Sequence, residues 1–477
     1  MSSSPRADVA PSGAAERPSR VTSGIEAGGV AGSVPRIVPL TGSDCFLRAF
    51  DDEVRRYNGA SHVSQLILRL GPGFDVGVLE RLLREVAAAV PLVRAPIRRR
   101  YGVGLPVYRI DLADRMPPPV VTVHAPEPDG RPTGPVPSVF AARMNDRFLG
   151  RRGRLLHFDV VPYADGTRGT DLAMSWLHML FDGTGSETFI AQLDQCFQGT
   201  RRVADLMTYD RPPAPREQMS ARGQRARAWR EHITQLGAQP PRSLAGPLRS
   251  VPQSLRLRIE TLSVEETTRA VERAKALAGF LTPMLFYLAA TIRAHDRVFR
   301  ARGLDPGSYV VPLPVNLRPK GVDGAVFRSH VSLLWFQVRQ EQVSDLEELI
   351  AELKRQRHAS IKGGLVEGGV AAMDFVRFLP KRLYARMTRR GMAGELCSFF
   401  FAYTDQFVPA ADSFLGAQIL NGFHAPAVTP SPGSCLAMSL RGGRLNVTHV
   451  YQSDVLVEDE IEEIRRSVRA DLIGEAR

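Results

Sequence analysis

The sequence predicts an α/β fold in two halves, each a mixed sheet with helices packed against it. Three observations carry that expectation. Short runs suited to strands alternate with amphipathic helical stretches along nearly the whole chain. The alternation breaks over a Pro- and Arg-rich stretch, residues 206–250, and then resumes. The 477 residues are also more than one hydrophobic core usually serves. The division expected is a disordered tail over 1–34, an N-terminal lobe over 35–205, a crossover linker over 206–250 and a C-terminal lobe over 251–477.

Residues 1–34 are mostly Ser, Ala, Gly and Pro, too poor in large apolar side chains to bury a core. Order should begin near Arg36 to Leu40. His62 to Leu70 reads as a strand, and Asp75 to Ala89 as a helix with Val78, Leu79, Leu82, Leu83 and Val86 on one face. Strands are expected at Pro106 to Leu112 and Leu155 to Pro162, with a helix around Ser138 to Leu149 between them. In the second half, strands are expected at Leu255 to Leu262, Tyr309 to Val315, His330 to Val338, Cys397 to Tyr403 and Cys435 to Tyr451. Helices should start at Ser263, Thr282 and Leu346, run from about Asp374 to Arg390, and close the chain after Val457.

The chemistry concentrates at residues 178–183, His-Met-Leu-Phe-Asp-Gly, an H-x-x-x-D-G pattern. Leu172 to Leu177 before it is short and apolar, like a buried strand. Thr184-Gly185-Ser186-Glu187 after it reads as a capping box with Thr184 as cap. Phe189, Ile190, Leu193 and Phe197 then fall on one helical face. His178 is thereby placed at a strand end, where a neutral imidazole can take a proton from an incoming nucleophile. The competing reading is a packed histidine beside a capping Asp182.

Composition narrows the classes. A hydrophobic content of 44% and aromatic content of 7% fit a globular protein, and no stretch has the ~18 uncharged apolar residues of a membrane span. Cys45, Cys196, Cys397 and Cys435 show no metal-ligand or redox spacing, so no metal is expected and reduced thiols in the cytoplasm are. The formal charge of +12 is clustered: Arg201 to Arg249 holds ten arginines against four acidic residues, and a second run covers Arg377 to Arg390. Neither run carries the aromatic interleaving of a nucleic-acid binder. They are solvated faces, or they attract a coenzyme A nucleotide, an acidic carrier protein or an anionic membrane surface.

In this order, these elements resemble the H-x-x-x-D-G acyltransferase superfamily. It has a chloramphenicol acetyltransferase-like fold and includes condensation domains and wax ester synthase/diacylglycerol acyltransferases. Pro39 to Asp44 followed by His62-Val63 is similar to the opening of the wax ester synthase-like branch. Pro91 to Arg94 resembles its P-L-L-R, Val311 to Arg318 a P-V-N-L-R segment, and Leu440 to Leu445 a late strand pair. The resemblance implies two such lobes with an active-site tunnel at their junction. It implies His178 as base, Asp182 turned away into a pairing with Arg318 beside Asn316, and Gly183 keeping the turn slim. Thr404 would be an oxyanion contact, and Lys381, Arg382 and Arg386 would dock the donor. Three departures stand out: Leu177 where relatives carry a first histidine, the missing plant-type D-F-G-W-G signature, and Arg328-Ser329-His330 in place of a downstream Gly-Asn; Asp405 in place of Asn after Thr404 also weakens the match there.

The leading expectation is an acyltransferase without a bound cofactor. Its co-substrate would be acyl-CoA or a phosphopantetheine thioester on a carrier protein, and its acceptor a hydroxyl or an amine. A condensation-like, amide-forming enzyme is the nearest alternative, and a catalytically lapsed carrier-docking protein a more distant one. Peripheral membrane contact stays open.

Overall fold

Strand Thr170–Leu177, which delivers His178, is buried along its whole length and lies in the middle of a six-stranded sheet. Burial on both faces explains why it reads as an apolar run and not as an alternation. Its neighbours Val63–Leu70 and Leu156–Pro162 are both antiparallel to it. Val120–Val123 extends one edge in parallel, and Ala417–Ala425 followed by Ser413–Phe414 extends the other. The computed structural model describes residues 35–99, 104–127, 133–147, 154–164, 169–206, 219–246, 248–252, 254–318 and 326–475. The tail expected over 1–34 lies outside them.

The second lobe is built on a four-stranded sheet ordered Phe400–Thr404, Ser434–Arg441, Arg444–Gln452, Leu255–Thr261, with the first pair parallel and the rest antiparallel. Gly442 and Gly443, both at positive φ, make the two-residue turn that joins its middle strands. Strands Ser308–Asn316 and Val331–Arg339 form a separate antiparallel pair. Both sheets therefore mix parallel and antiparallel strands under flanking helices, which is the two-lobed architecture predicted. One cluster of buried side chains, including Leu66, Met174, Phe181 and Phe189, fills the first lobe. A second, including Leu288, Ile292, Leu349 and Ile464, fills the other. A third set, Ile67, Ala173, Phe423, Cys435 and Val450 among them, packs strands of one sheet against strands of the other.

Several elements differ from the sequence expectation. Helix Gly42–Tyr57 was not anticipated: Cys45, Ala49, Phe50 and Val54 recur at helical spacing, but its buried face mixes them with Asp44, Asp51 and Glu53. Thr41 caps it in a reciprocal box with Asp44. A Cβ on Gly42 would lie 2.4 Å from the backbone of Met373 and Asp374, so only glycine lets these helices meet. The segment expected as linker contains an 18-residue helix, Met219–Leu236; residues 207–218 before it lie outside those described. The single basic helix expected from Asp374 to Arg390 is two helices, Leu365–Val376 and Lys381–Arg390, because Pro380 cannot continue the first. Strand Ala417–Ala425, from the second half of the chain, is hydrogen-bonded into the first-lobe sheet. The free cysteines Cys45, Cys397 and Cys435 are buried.

Candidate active site

The H-x-x-x-D-G segment is a tight turn between strand Thr170–Leu177 and helix Gly183–Phe197, pinned on several sides. His178 N–H donates to the carbonyl of His62 on the adjacent strand (3.1 Å), and Leu180 N–H to Leu177 O (2.8 Å). Tyr108 Oη donates to Met179 O at 2.9 Å, and Trp176 Nε1 to Phe181 O at 2.8 Å. Such a turn holds its side chains in place before any substrate arrives.

Asp182 is the hub of the turn and is almost fully buried. Its Oδ1 accepts from Gly185 N (2.8 Å), so Asp182 caps the helix, and the expectation of Thr184 as cap is corrected. The carboxylate outcompetes a hydroxyl there because it serves more donors at once. Arg318 Nη1 donates to both of its oxygens at 2.9 Å, and His330 N–H donates to Oδ2 at 2.7 Å. Asn316 Oδ1 accepts from Arg318 N at 3.0 Å and from Nη1 at 3.3 Å, holding the arginine. The structure thus brings Asp182, Arg318 and Asn316 together, with the carboxylate turned into this network. Gly183 sits close under His424, whose Nε2 would be 3.5 Å from a Cβ there. Gly185 is the tighter position: a Cβ would lie 2.3 Å from Val326 O.

His178 itself is partly exposed. Its Nδ1 is buried and, among the described residues, has no hydrogen bond of good geometry. Burial lowers its pKa below the usual histidine value, against the opposing pull of the Asp182 charge and of the backbone of Phe181 and its own residue. It is therefore neutral at neutral pH, as a general base must be.

Sequence reasoning gave no part in the site to three residues here, His62, His424 and Glu187. The ring of His62 lies 5.5 Å from that of His178, and it too has a buried, unpartnered Nδ1. Burial and the nearby His178 push its pKa well down. Two imidazoles so close resist being charged together, which favours the neutral form of both. The signal was the register: Val63 pairs with Leu177, so His62 falls opposite His178. On the other flank, His424 Nε2 pairs with Glu187 Oε1 at 2.8 Å, and Glu187 also accepts from Val408 N. No sequence signal placed the strand carrying His424 beside the motif.

The departure at Arg328 has a structural explanation. Arg328 is buried, at φ 80°, and its N–H donates to Leu180 O at 2.6 Å. Its Nε and Nη2 donate to Asp44 Oδ2 at 3.0 and 2.8 Å. The segment thereby braces the motif turn against the Gly42–Tyr57 helix.

Other expected residues lie apart. Thr404 ends strand Phe400–Thr404 in register with Ser439, and among the described residues no side-chain hydrogen bond ties it to the motif. Lys381 pairs with Asp52 and lines a cleft of ≈ 190 Å³ with Leu177, Met179, Arg48 and Arg98. Arg48 there has a buried Nη1 without a partner. Arg382 and Arg386 are exposed, whereas Arg389 of the same run is buried against Glu53 at 2.7 Å. Among the described residues no three His, Cys, Asp or Glu side chains converge on a metal site, and no helix is long and apolar enough to cross a membrane.

No family model and no curated protein matches the sequence. Solved structures do match. The first condensation domain of the CDA synthetase is 15% identical over 93% of this chain and 98% of that one, with a TM-score of 0.64. The trichothecene 15-O-acetyltransferase of Fusarium sporotrichioides is 12% identical over 93% and 97%, with a TM-score of 0.65. The polyketide synthase associated protein 5 of Mycobacterium tuberculosis is 14% identical over 92% and 99%, with a TM-score of 0.58. At such identities the likeness speaks for architecture: the chain has the two-lobed, mixed-sheet fold of condensation domains and chloramphenicol acetyltransferase-like proteins.

Proposed function

We propose that this protein is a condensation-like enzyme that moves an acyl group from a thioester to an amine, with His178 as general base. The observation that carries the reading is a neutral, partly exposed imidazole on a turn braced by the Asp182–Arg318 and Arg328–Asp44 pairs. The amine nitrogen attacks the thioester carbonyl carbon while Nε2 of His178 takes its proton. Collapse of the tetrahedral adduct breaks the C–S bond, and the proton passes to the leaving thiolate, restoring the base. Holding both reactants at a fixed imidazole supplies most of what such a step needs.

The donor arm is assigned to the cleft beside Leu177 and Met179, where Arg98 can meet a phosphate and Lys381 can do so by exchanging its partner Asp52, which lines the same cleft with Asp51. Amide formation is preferred because several of the matching structures are condensation domains of synthetases. A hydroxyl acceptor is the second reading, favoured by the match to an O-acetyltransferase. A lapsed docking protein fits less well, because such a protein has no need of a braced, neutral base.

The test is a mass-spectrometric screen of acyl-CoA and carrier-bound acyl donors against amines and alcohols. Amide products that require His178 support the reading. Ester products alone would replace it with the second, and thioester hydrolysis alone would remove both.

A further inference from the structure

Helices Leu365–Val376 and Lys381–Arg390 and the turn between them expose apolar side chains that a water-facing surface does not need. Phe375 is 46% exposed, Phe378 54%, Leu383 43% and Met387 48%. Leu383 and Met387 alternate with Arg382, Arg386 and Arg390, all exposed and without an acidic partner among the described residues. On Lys381–Arg390, Leu383 and Met387 form one stripe and Arg382 and Arg386 the next, while Tyr384, Ala385 and Arg389 face inward.

Behind this face lies a cavity of ≈ 860 Å³. Its walls include Phe46, Trp229, Ile233, Trp335, Met373 and Leu396; its rim includes Phe375, Leu383, Met387, Arg227, Arg230 and Arg390. Among the described residues no acidic side chain lines it. The Nε1 of Trp335 is buried without a partner. Apolar walls under an unpaired basic rim suit an amphiphile with a hydrocarbon chain and an anionic head. A soluble acidic carrier would be met by the arginines alone and gives no reason for the exposed phenylalanines. An anionic bilayer meets both.

We propose that this face docks on an anionic lipid bilayer, and that one lipid chain enters the cavity while the arginines receive the headgroup phosphates. Phe375, Phe378, Leu383 and Met387 then lie in the interfacial layer. The proposal does not depend on the chemistry assigned to His178.

The test uses the full chain with vesicles of phosphatidylglycerol or phosphatidylcholine, read by sedimentation. Strong partition into the first and little into the second is expected, weakening as salt rises. Each arginine near an anionic surface contributes about fivefold, so Arg382→Gln with Arg386→Gln lowers partition about thirtyfold. Phe375→Ser with Phe378→Ser should lower it at least tenfold, roughly what losing two interfacial apolar side chains implies. Phosphatidylglycerol brominated in its chains reads the cavity. Trp229 and Trp335 line it and Trp176 is buried in the first lobe, so quenching should vanish in Trp229→Phe with Trp335→Phe. No partition at low salt, or partition untouched by the phenylalanine pair, overturns the docking. Partition without quenching overturns chain entry.

Discussion

Replacing Asp182 with asparagine keeps the volume of the side chain and removes its charge. In the folded protein that carboxylate accepts from Gly185 N, His330 N and Arg318 Nη1, at 2.7 to 2.9 Å. The two side chains of the ion pair are only 3% and 6% exposed, so solvent does little to screen them. The variant takes the opposite charge away from Arg318 Nη1 and turns an amide N–H toward one of three donors. Breaking a buried pair from one side costs about 3–5 kcal/mol. With about 2 cal/mol/K of unfolding entropy per residue, a chain of 477 residues loses about 1 °C per kcal/mol, so a fall of about 4 °C is expected. Urea titration should show a matching drop in midpoint, and acyl transfer should fall with it because the turn loosens. Adding Arg318→Gln should recover more than about 1 kcal/mol, since the stranded charge is gone. An Asp182→Asn protein as stable as its parent but inactive would refute this reasoning and give the carboxylate a direct chemical part.

Further outcomes follow from neighbouring features. Gly185→Ala should destabilise by about 1–3 kcal/mol, because its Cβ would stand 2.3 Å from Val326 O; an unchanged urea midpoint would contradict the packing. Arg328→Met should cost about 3–5 kcal/mol by stranding Asp44, and Asp44→Asn in the same chain should recover part of it. Acid should weaken the fold through its buried histidines. Burial lowers His295 to about 4, and burial first, then His295, lowers His449 to about 3, while both titrate near about 6.5 when unfolded. The unfolded chain therefore binds more protons, so this stability is complete above about pH 6.5 and is lost as pH falls toward about 4, at up to about 1.4 kcal/mol per pH unit for each group. Urea midpoints that do not move over that interval would contradict it.

The periodicities located most strands and the motif helix, because a buried strand and a one-sided helix write their burial into consecutive residues. What they could not show was pairing between distant segments. Strand Ala417–Ala425 alternates like any edge strand, and nothing local says that it joins Val63–Leu70. His424 came to the motif by that route and was invisible for that reason. His62 was nearer to view, since an antiparallel register places it opposite His178. The Asp182–Arg318 contact was anticipated from a resemblance, and the geometry adds the reason: one carboxylate caps a helix and anchors two other segments. Arg328 looked like a departure from pattern, and its meaning lay in Asp44, far away in sequence. The helix Gly42–Tyr57 was overlooked although its apolar residues keep helical spacing, because the same buried face carries charges, with Asp44 and Glu53 in buried pairs.

The central claim is that His178 is the base for acyl transfer, and the most direct measurement is the pH–rate profile of the protein beside His178→Ala, with one accepted donor and acceptor. Wild-type turnover should be lost as pH falls through a value below the ordinary histidine pKa, because burial holds the folded imidazole neutral to lower pH. The variant should fold normally, fall by about two to four orders of magnitude, and lose that acid limb. A His178→Ala protein that keeps more than about a tenth of the rate, with the limb unchanged, would contradict the account.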